Sequence, residues 1–242
     1  MIRKAIKAYK QIVNRQENIQ KSLNEIEWAN IFHDSIKGDD QISNLSLNIG
    51  RWAGGYPFFY CLYTILNKVK PSSTLEFGLG ESSKLISTFY KLYIPDGVHT
   101  VLEHNNTWYE TFNKGFSLSQ NTEVIITTMI SKKSNDKSSS YNSYECIENY
   151  KDTDILFYVV DGPIGTKRFS RYDIVELAKS FDKQKKFIIL FDDTNRPGEQ
   201  ETLNCFKEEL NKKSINFEVS TFKGKKTTTI ITSNEYSFLT TI

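Results

Sequence analysis

Two stretches of this chain, DILFYVVDG (154–162) and KFIILFDD (186–193), are nearly unbroken apolar runs that end in aspartate. A strand with one wet face alternates apolar and polar residues. A strand that is apolar throughout is covered on both sides, which is the condition of an interior strand in a parallel sheet. Strand patterns also occur at STLEF (73–77), VHTVLEH (98–104) and TEVIITTMI (122–130), with helical patterns at about 81–92 and 106–116 between them. Strand alternating with helix means helices packed on both faces of a mostly parallel sheet. The alternation then stops. NFEVSTF (216–222) and KTTTIITS (226–233) are separated only by Lys223-Gly224-Lys225. That gap is too short for a crossover helix, so the last two strands pair as an antiparallel hairpin. The expected fold is α/β: a Rossmann-like three-layer sandwich whose seven-stranded, mostly parallel sheet ends in an antiparallel hairpin.

The remaining segments are assigned by the same patterns. Residues 1–56 read as an N-terminal helical extension and 57–242 as the sheet-bearing domain. Ile2, Ala5, Ile6, Tyr9, Ile12 and Val13 recur at helical spacing, giving a helix over 2–13 that packs on the main domain, pairs with a second copy or rests on an acidic surface. Residues 38–50 read as a loop, 57–69 as a helix, 131–143 as a polar surface insertion and 144–149 as a short helix. Ser170 and Asp173 have the spacing of a capping box for a helix reaching about 182. Pro197 suits the first turn of a helix that runs to about Lys213.

With 31 basic and 29 acidic residues there is no global basic footprint, so nucleic acid is not the expected partner. Cys61, Cys146 and Cys205 are too scattered for a disulfide framework or a zinc site, which points to a reducing, cytoplasmic setting. The basic N-terminus lacks the apolar core of a secretion signal. The longest aromatic run, residues 52–66, is interrupted by Gly54, Gly55 and Pro57, so no transmembrane segment is expected.

The chemistry is expected at the carboxyl ends of the strands, where open parallel sheets bind ligands. The first strand ends in Glu76-Phe77-Gly78-Leu79-Gly80, and Gly78 and Gly80 permit a tight turn and close approach of a ligand. Glu103 ends the second strand, placed to accept both hydroxyls of a ribose. A dinucleotide is the first rival, but its fingerprint wants a third glycine where Ser83 stands, and Glu81 would repel a pyrophosphate. Carboxylates at Glu76, Glu81 and Glu103 suit a cationic cofactor such as S-adenosylmethionine.

Residues 71–242 resemble the class I S-adenosylmethionine-dependent methyltransferases. The resemblance is carried by LEFGLGESS (75–83), LEHNNTWYE (102–110), DILFYVVDGP (154–163), FIILFDDTNRPGE (187–199) and the terminal hairpin. It is greatest to bacterial methyltransferase-like proteins associated with capsule and glycan synthesis, and extends more distantly to plant glucuronoxylan methyltransferases. It implies that Glu76, Gly78, Gly80 and Ser82 line the methionine part of the cofactor, that Glu103 holds the ribose, that His104 and Asn105 flank the adenine, and that Asp161 faces the methyl-transfer point. The implied activity is O-methylation of a saccharide or glycan precursor, in polysaccharide biosynthesis.

On the acceptor side, Asp161, Asp192 and Asp193 end neighbouring strands and, with Asn195, make an oxygen-rich set suited to Mg²⁺ or Mn²⁺. This resembles the metal-dependent catechol and macrolide-sugar O-methyltransferases. Without a metal, Asp161 or Asp192 would be the general base. Lys167, Arg168 and Arg171 either hold an acidic acceptor or form a solvated helix start, and Arg196 and Glu199 match residues after the fifth strand of the glycan-related relatives. Trp52, Tyr56 and Phe59 either stack on a sugar or pack into the core. The competing readings are a non-catalytic binding or scaffold protein of methyltransferase fold, self-associating through residues 2–13, and an NAD-type oxidoreductase.

Overall fold

The structure, a computed structural model, describes residues 2–134 and 139–242. In chain order the strands are β1 (Ser73–Phe77), β2 (Val98–Glu103), β3 (Thr122–Ile126), β4 (Met129–Lys133), β5 (Ser140–Tyr144), β6 (Phe157–Val160), β7 (Ile188–Phe191), β8 (Phe217–Lys223) and β9 (Thr227–Ser233). Seven of them form one sheet in the order β3-β2-β1-β6-β7-β9-β8. The first five are parallel, and β9 runs antiparallel to both β7 and β8. The terminal hairpin therefore inserts its second strand between β7 and its first strand.

The helices are α1 (Ile2–Ile36), α2 (Asp40–Ser43), α3 (Tyr56–Val69), α4 (Glu81–Tyr93), α5 (Asn106–Gly115), α6 (Asp173–Ala178) and α7 (Pro197–Lys212). The apolar runs of β6 and β7 serve two cores with a period of two. Phe157, Val159, Ile188 and Leu190 pack with α3 and α4 on one face of the sheet. Tyr158, Val160, Ile189 and Phe191 pack with α6 and α7 on the other. Each such fully buried side chain contributes about 1.5–3 kcal/mol, so losing the alternation on either face would strip a whole layer. Among the described residues no helix is long and apolar enough to cross a membrane.

Four expectations are corrected. The helix predicted over 2–13 continues to Ile36, because no glycine or proline interrupts residues 2–36. Its C-terminal third docks on the body: Glu25 accepts the backbone N–H groups of Tyr56 (2.8 Å) and Lys225 (2.7 Å), and Phe32 and Ile36 are buried against α3 and its neighbours. The loop over 38–50 contains the short helix α2, capped by the Asp39 carboxylate on Ile42 N. The strand expected over 122–130 breaks after Ile126, and its tail becomes β4, which pairs antiparallel with β5 in a separate two-stranded sheet. Much of the polar stretch 131–143 is thus structured, while residues 135–138 lie outside the described residues.

The fourth concerns the capping box. Tyr172, not Ser170, precedes α6, and its side chain does not cap the helix. Ser170 donates instead to Glu199 Oε1 at 2.9 Å. Asp173 receives Ser143 Oγ at 2.5 Å and Tyr144 N at 2.9 Å, which ties β5 to α6.

Candidate active site

Strand order reverses between β1 and β6, and the loops beyond their carboxyl ends open a crevice there. Two glycines make it possible. Gly78 has φ +95°, a conformation L side chains rarely adopt, and its N–H reaches Leu102 O at 2.9 Å. Gly162, after β6, faces it so closely that a Cβ there would stand 2.7 Å from Phe77 O. Gly80 behaves differently: its backbone is extended, and an added Cβ would project into open space. The hydroxyl of Ser83, where a dinucleotide fold would keep glycine, accepts Gly80 N–H at 3.0 Å and closes the first turn of α4.

The crevice has two lobes that share Gly78, Glu103, His104, Asp161 and the Arg51-Trp52 tip of the loop before α3. The first, of about 760 Å³, is lined by the glycine loop, Glu81, Ser82, Asn105 and Trp108. The second, of about 660 Å³, is lined by Tyr144, Gly162–Lys167, Arg171, Asp193, Arg196 and Glu199.

In the first lobe Glu103 is anchored by backbone donors. Its Oε1 accepts His104 N and Asn105 N, each at 2.7 Å, and its Oε2 accepts Leu79 N at 3.0 Å. One carboxylate thus clamps the glycine loop against the end of β2. Trp108, on α5, adds an indole N–H to Leu79 O at 2.7 Å and presents its ring to the same lobe. Glu81 accepts Asn48 N at 3.0 Å and pairs with Lys84, which pins the 45–55 loop over the lobe. Its carboxylate sits at the start of α4, where a pyrophosphate would otherwise bind.

Glu76 is placed differently from the expectation. It is fully buried, its Oε1 accepts the Ser82 hydroxyl, and its Oε2 meets His99 Nε2 at 3.0 Å. His99 Nδ1 reaches Thr122 Oγ1 at 3.1 Å. Glu76 therefore sets the strand ends from beneath instead of lining the crevice, and Ser82 lines it with its hydroxyl turned away.

The second lobe is built around Arg171, which is 5% exposed and has φ +61°. Its Nη2 lies 2.9 Å from Asp161 Oδ1 and 3.0 Å from Asp193 Oδ2, and its Nη1 donates to Asp192 O at 2.9 Å. Asp192 is buried beneath the lobe, accepting Thr228 Oγ1 at 3.0 Å. Lys226 Nζ stands 3.6 Å from both Asp192 Oδ2 and Asp193 Oδ1, and Arg196 Nη2 is 3.0 Å from Asp193 Oδ2. Burial pushes the Asp161 carboxyl up to about 7 despite Arg171, and burial with the Asp193 charge raises Asp192.

Oxygens of Asp161, Asp192 and Asp193 do come within 4.8 Å of one another, the grouping a divalent cation needs. The fit to Mg²⁺ or Mn²⁺ fails on charge. A guanidinium already bridges Asp161 and Asp193, and an ammonium faces the remaining oxygens of Asp192 and Asp193. Asn195 also drops out, because its Oδ1 accepts Thr227 N at 2.9 Å.

The other expected acceptor-side residues separate. Lys167 and Arg196 line the lobe. Arg168 pairs with Glu201 at 2.9 Å and stacks on Phe169 away from it. Of the three aromatics, Phe59 is core, Tyr56 packs on Phe32 and His33, and Trp52 stands 98% exposed at the crevice. Tyr144, Arg51 and Lys226 join the site without having been singled out. Arg51, with φ +57°, lines both lobes, and sequence pattern carries no signal for that.

No protein-family model matches the chain, and no curated protein matches it. Solved structures do. A "putative O-methyltransferase" from Klebsiella pneumoniae superposes with a TM-score of 0.51 at 9% identity, over 90% of this chain and 99% of that one. A "putative caffeoyl-CoA O-methyltransferase" from Staphylococcus aureus gives 0.50 at 11% identity, over 88% of this chain and 100% of that one. At such identities the likeness speaks for the architecture, and the chain has the Rossmann-like methyltransferase fold.

Proposed function

We propose that this chain is an S-adenosylmethionine-dependent O-methyltransferase whose acceptor is a small anionic molecule, a saccharide or glycan precursor bearing a carboxylate or phosphate. The observation that carries the reading is one crevice holding two differently prepared carboxylates, Glu103 in one lobe and Asp161 in the other. S-adenosylmethionine would supply an electrophilic methyl group, taken by an acceptor oxygen as the carbon–sulfur bond breaks and its electron pair stays on sulfur.

The protein's part is placement and one proton. Glu103, fixed by three N–H groups, keeps a lone pair on Oε2 to accept a ribose hydroxyl. Trp108 offers an aromatic wall. Asp161 is the base that takes the hydroxyl proton, and a carboxyl raised to about 7 is matched to that task near neutral pH. Arg171 holds Asp161 from behind without donating to the acceptor. Arg51, Lys167 and Arg196 at the rim supply cations for an acidic acceptor, and Trp52 supplies a face for a sugar ring. No metal is assigned a role.

The test is calorimetric binding of S-adenosylmethionine, S-adenosylhomocysteine and NAD to wild type and Glu103→Ala. Micromolar binding of the first two, lost in the variant, supports the reading. No binding of either would assign the fold a non-catalytic role, and binding of NAD alone would point to an oxidoreductase.

A further inference from the structure

We infer that α1 is a self-association element: through residues 9–26 it pairs in parallel with at least one further copy of this chain. Among the described side chains of residues 3–21, all but Val13 are exposed, so this part of the helix projects from the body. A lone helix gains little in water without tertiary packing. Yet Tyr9, Ile12, Ile19, Leu23 and Ile26 are each 52–68% exposed.

Their spacing is regular. Tyr9, Ile12, Gln16, Ile19, Leu23 and Ile26 follow one another at steps of three and four, the a/d seam of a heptad repeat. Ile6 and Val13 flank it at e positions. The charged residues Arg3, Lys4, Lys7, Lys10, Glu17 and Lys21 all fall at b, c or f, away from the seam. The side that docks on the body, with Glu25, Trp28 and Phe32, occupies c and f positions, opposite the seam. A partner helix can therefore lie along the seam without displacing the body. Covering the exposed seam on two copies would bury on the order of 1,000 Å², the size at which specific interfaces begin.

Gln16 sets the orientation. In a parallel, in-register pair it meets Gln16 of the other copy, and two amides satisfy each other. In the antiparallel alternative it faces Ile19 and is left unpaired. In the parallel arrangement Arg15 at g meets Gln20 at e, and Ser22 meets Glu27, so no like charges are opposed. Isoleucine at three successive d positions favours more than two strands over a simple pair. A lipid surface, the other occupant a basic amphipathic helix suits, gains nothing from a strict heptad and is opposed by Gln16 in mid-seam.

The experiment is sedimentation equilibrium on the full chain at micromolar concentration, for wild type, Ile19→Asp/Leu23→Asp and the opposite-face control Asn18→Asp. The expected result is a mass of two or more chains for wild type and control, and of one chain for the double variant with an unchanged thermal transition of the body. Gln16→Cys should form an interchain disulfide under mild oxidant. A single-chain mass for wild type overturns the inference, as does an assembly that survives the double variant. An assembly in which Gln16→Cys fails to cross-link overturns the parallel register. Monomeric wild type that binds vesicles of equal parts phosphatidylcholine and phosphatidylglycerol assigns the helix to a lipid surface instead.

Discussion

The Nη2 atom of Arg171 lies 2.9 Å from Oδ1 of Asp161. The same nitrogen reaches Asp193 at 3.0 Å, so one guanidinium spans two carboxylates as a divalent cation would. Removing it should create the site it fills. Arg171→Gln leaves Asp161, Asp192 and Asp193 with oxygens within 4.8 Å and one cation fewer. We expect wild type to show no saturable Mn²⁺ binding by electron paramagnetic resonance, and the variant to gain it. The variant should also lose about 3–5 kcal/mol of stability, the usual cost of breaking a buried pair. Tight Mn²⁺ binding by wild type, unimproved in Arg171→Gln, would contradict this account.

Asp161 as base makes activity pH-dependent in a definite direction. With its carboxyl raised to about 7 in the free protein, kcat/KM should climb with pH through 7 and level off above it. Asp161→Asn should cut kcat by about 10²–10⁴-fold while leaving cofactor binding in place. The effect on stability has the opposite sign. The folded value lies above the unfolded one, so between about 4 and 7 the folded state holds the extra proton. Asp161 thus favours folding as pH falls through that window and opposes it above 7. Asp173, pushed up to about 6 by burial, acts in the same sense. Asp161→Asn should accordingly melt no lower than wild type at pH 8. A flat rate profile across 7 would remove Asp161 from the base role.

The glycines divide the crevice into parts that fold it and a part that admits ligand. Gly162→Ala would put a Cβ 2.7 Å from Phe77 O, backbone that cannot step aside, and should lower the melting temperature sharply. Gly80→Ala meets nothing within 4 Å on an already extended backbone, so stability should change by less than about 1 kcal/mol. Its methyl group would enter the first lobe. We expect S-adenosylmethionine affinity to fall about tenfold or more in calorimetry, and unchanged affinity would mean the ligand lies elsewhere.

The sheet was legible because its strands obey local rules. The double-faced apolar runs of β6 and β7 and the three-residue gap before β9 have one reading each. The candidate crevice was legible where a backbone turn or strand end places the residue, at Gly78, Glu103 and Asp161. It was not legible where tertiary pairing decides. Glu76 reads like a ligand-facing carboxylate until His99, 23 residues on, claims it from the neighbouring strand. Arg171 reads like a solvated helix start until the ends of β6 and β7 surround it with carboxylates. The β4–β5 hairpin was hidden because its strands are polar and one face is wet.

Tyr144, from that hairpin, closes the second lobe, and its buried hydroxyl has no hydrogen-bond partner among the described residues. Its ring packs between Phe77 and His104, at centroid distances of 6.2 and 6.4 Å. Burial, with the charges of Glu103 and Asp173, pushes the phenol well above its usual range, so it stays a neutral donor at any working pH. An orphaned buried donor costs about 1–3 kcal/mol, and a ligand that accepts from it recovers part of that. Tyr144→Phe should therefore leave the unliganded protein as stable as wild type, or up to about 1 kcal/mol more so. The same change should weaken cofactor or acceptor binding about 5- to 30-fold, since a hydrogen bond of about 1–2 kcal/mol is lost only in the complex. Thermal melts with and without ligand, read beside calorimetric affinities, separate the two effects. A variant that melts lower than wild type and binds as tightly would make Tyr144 a packing residue and nothing more.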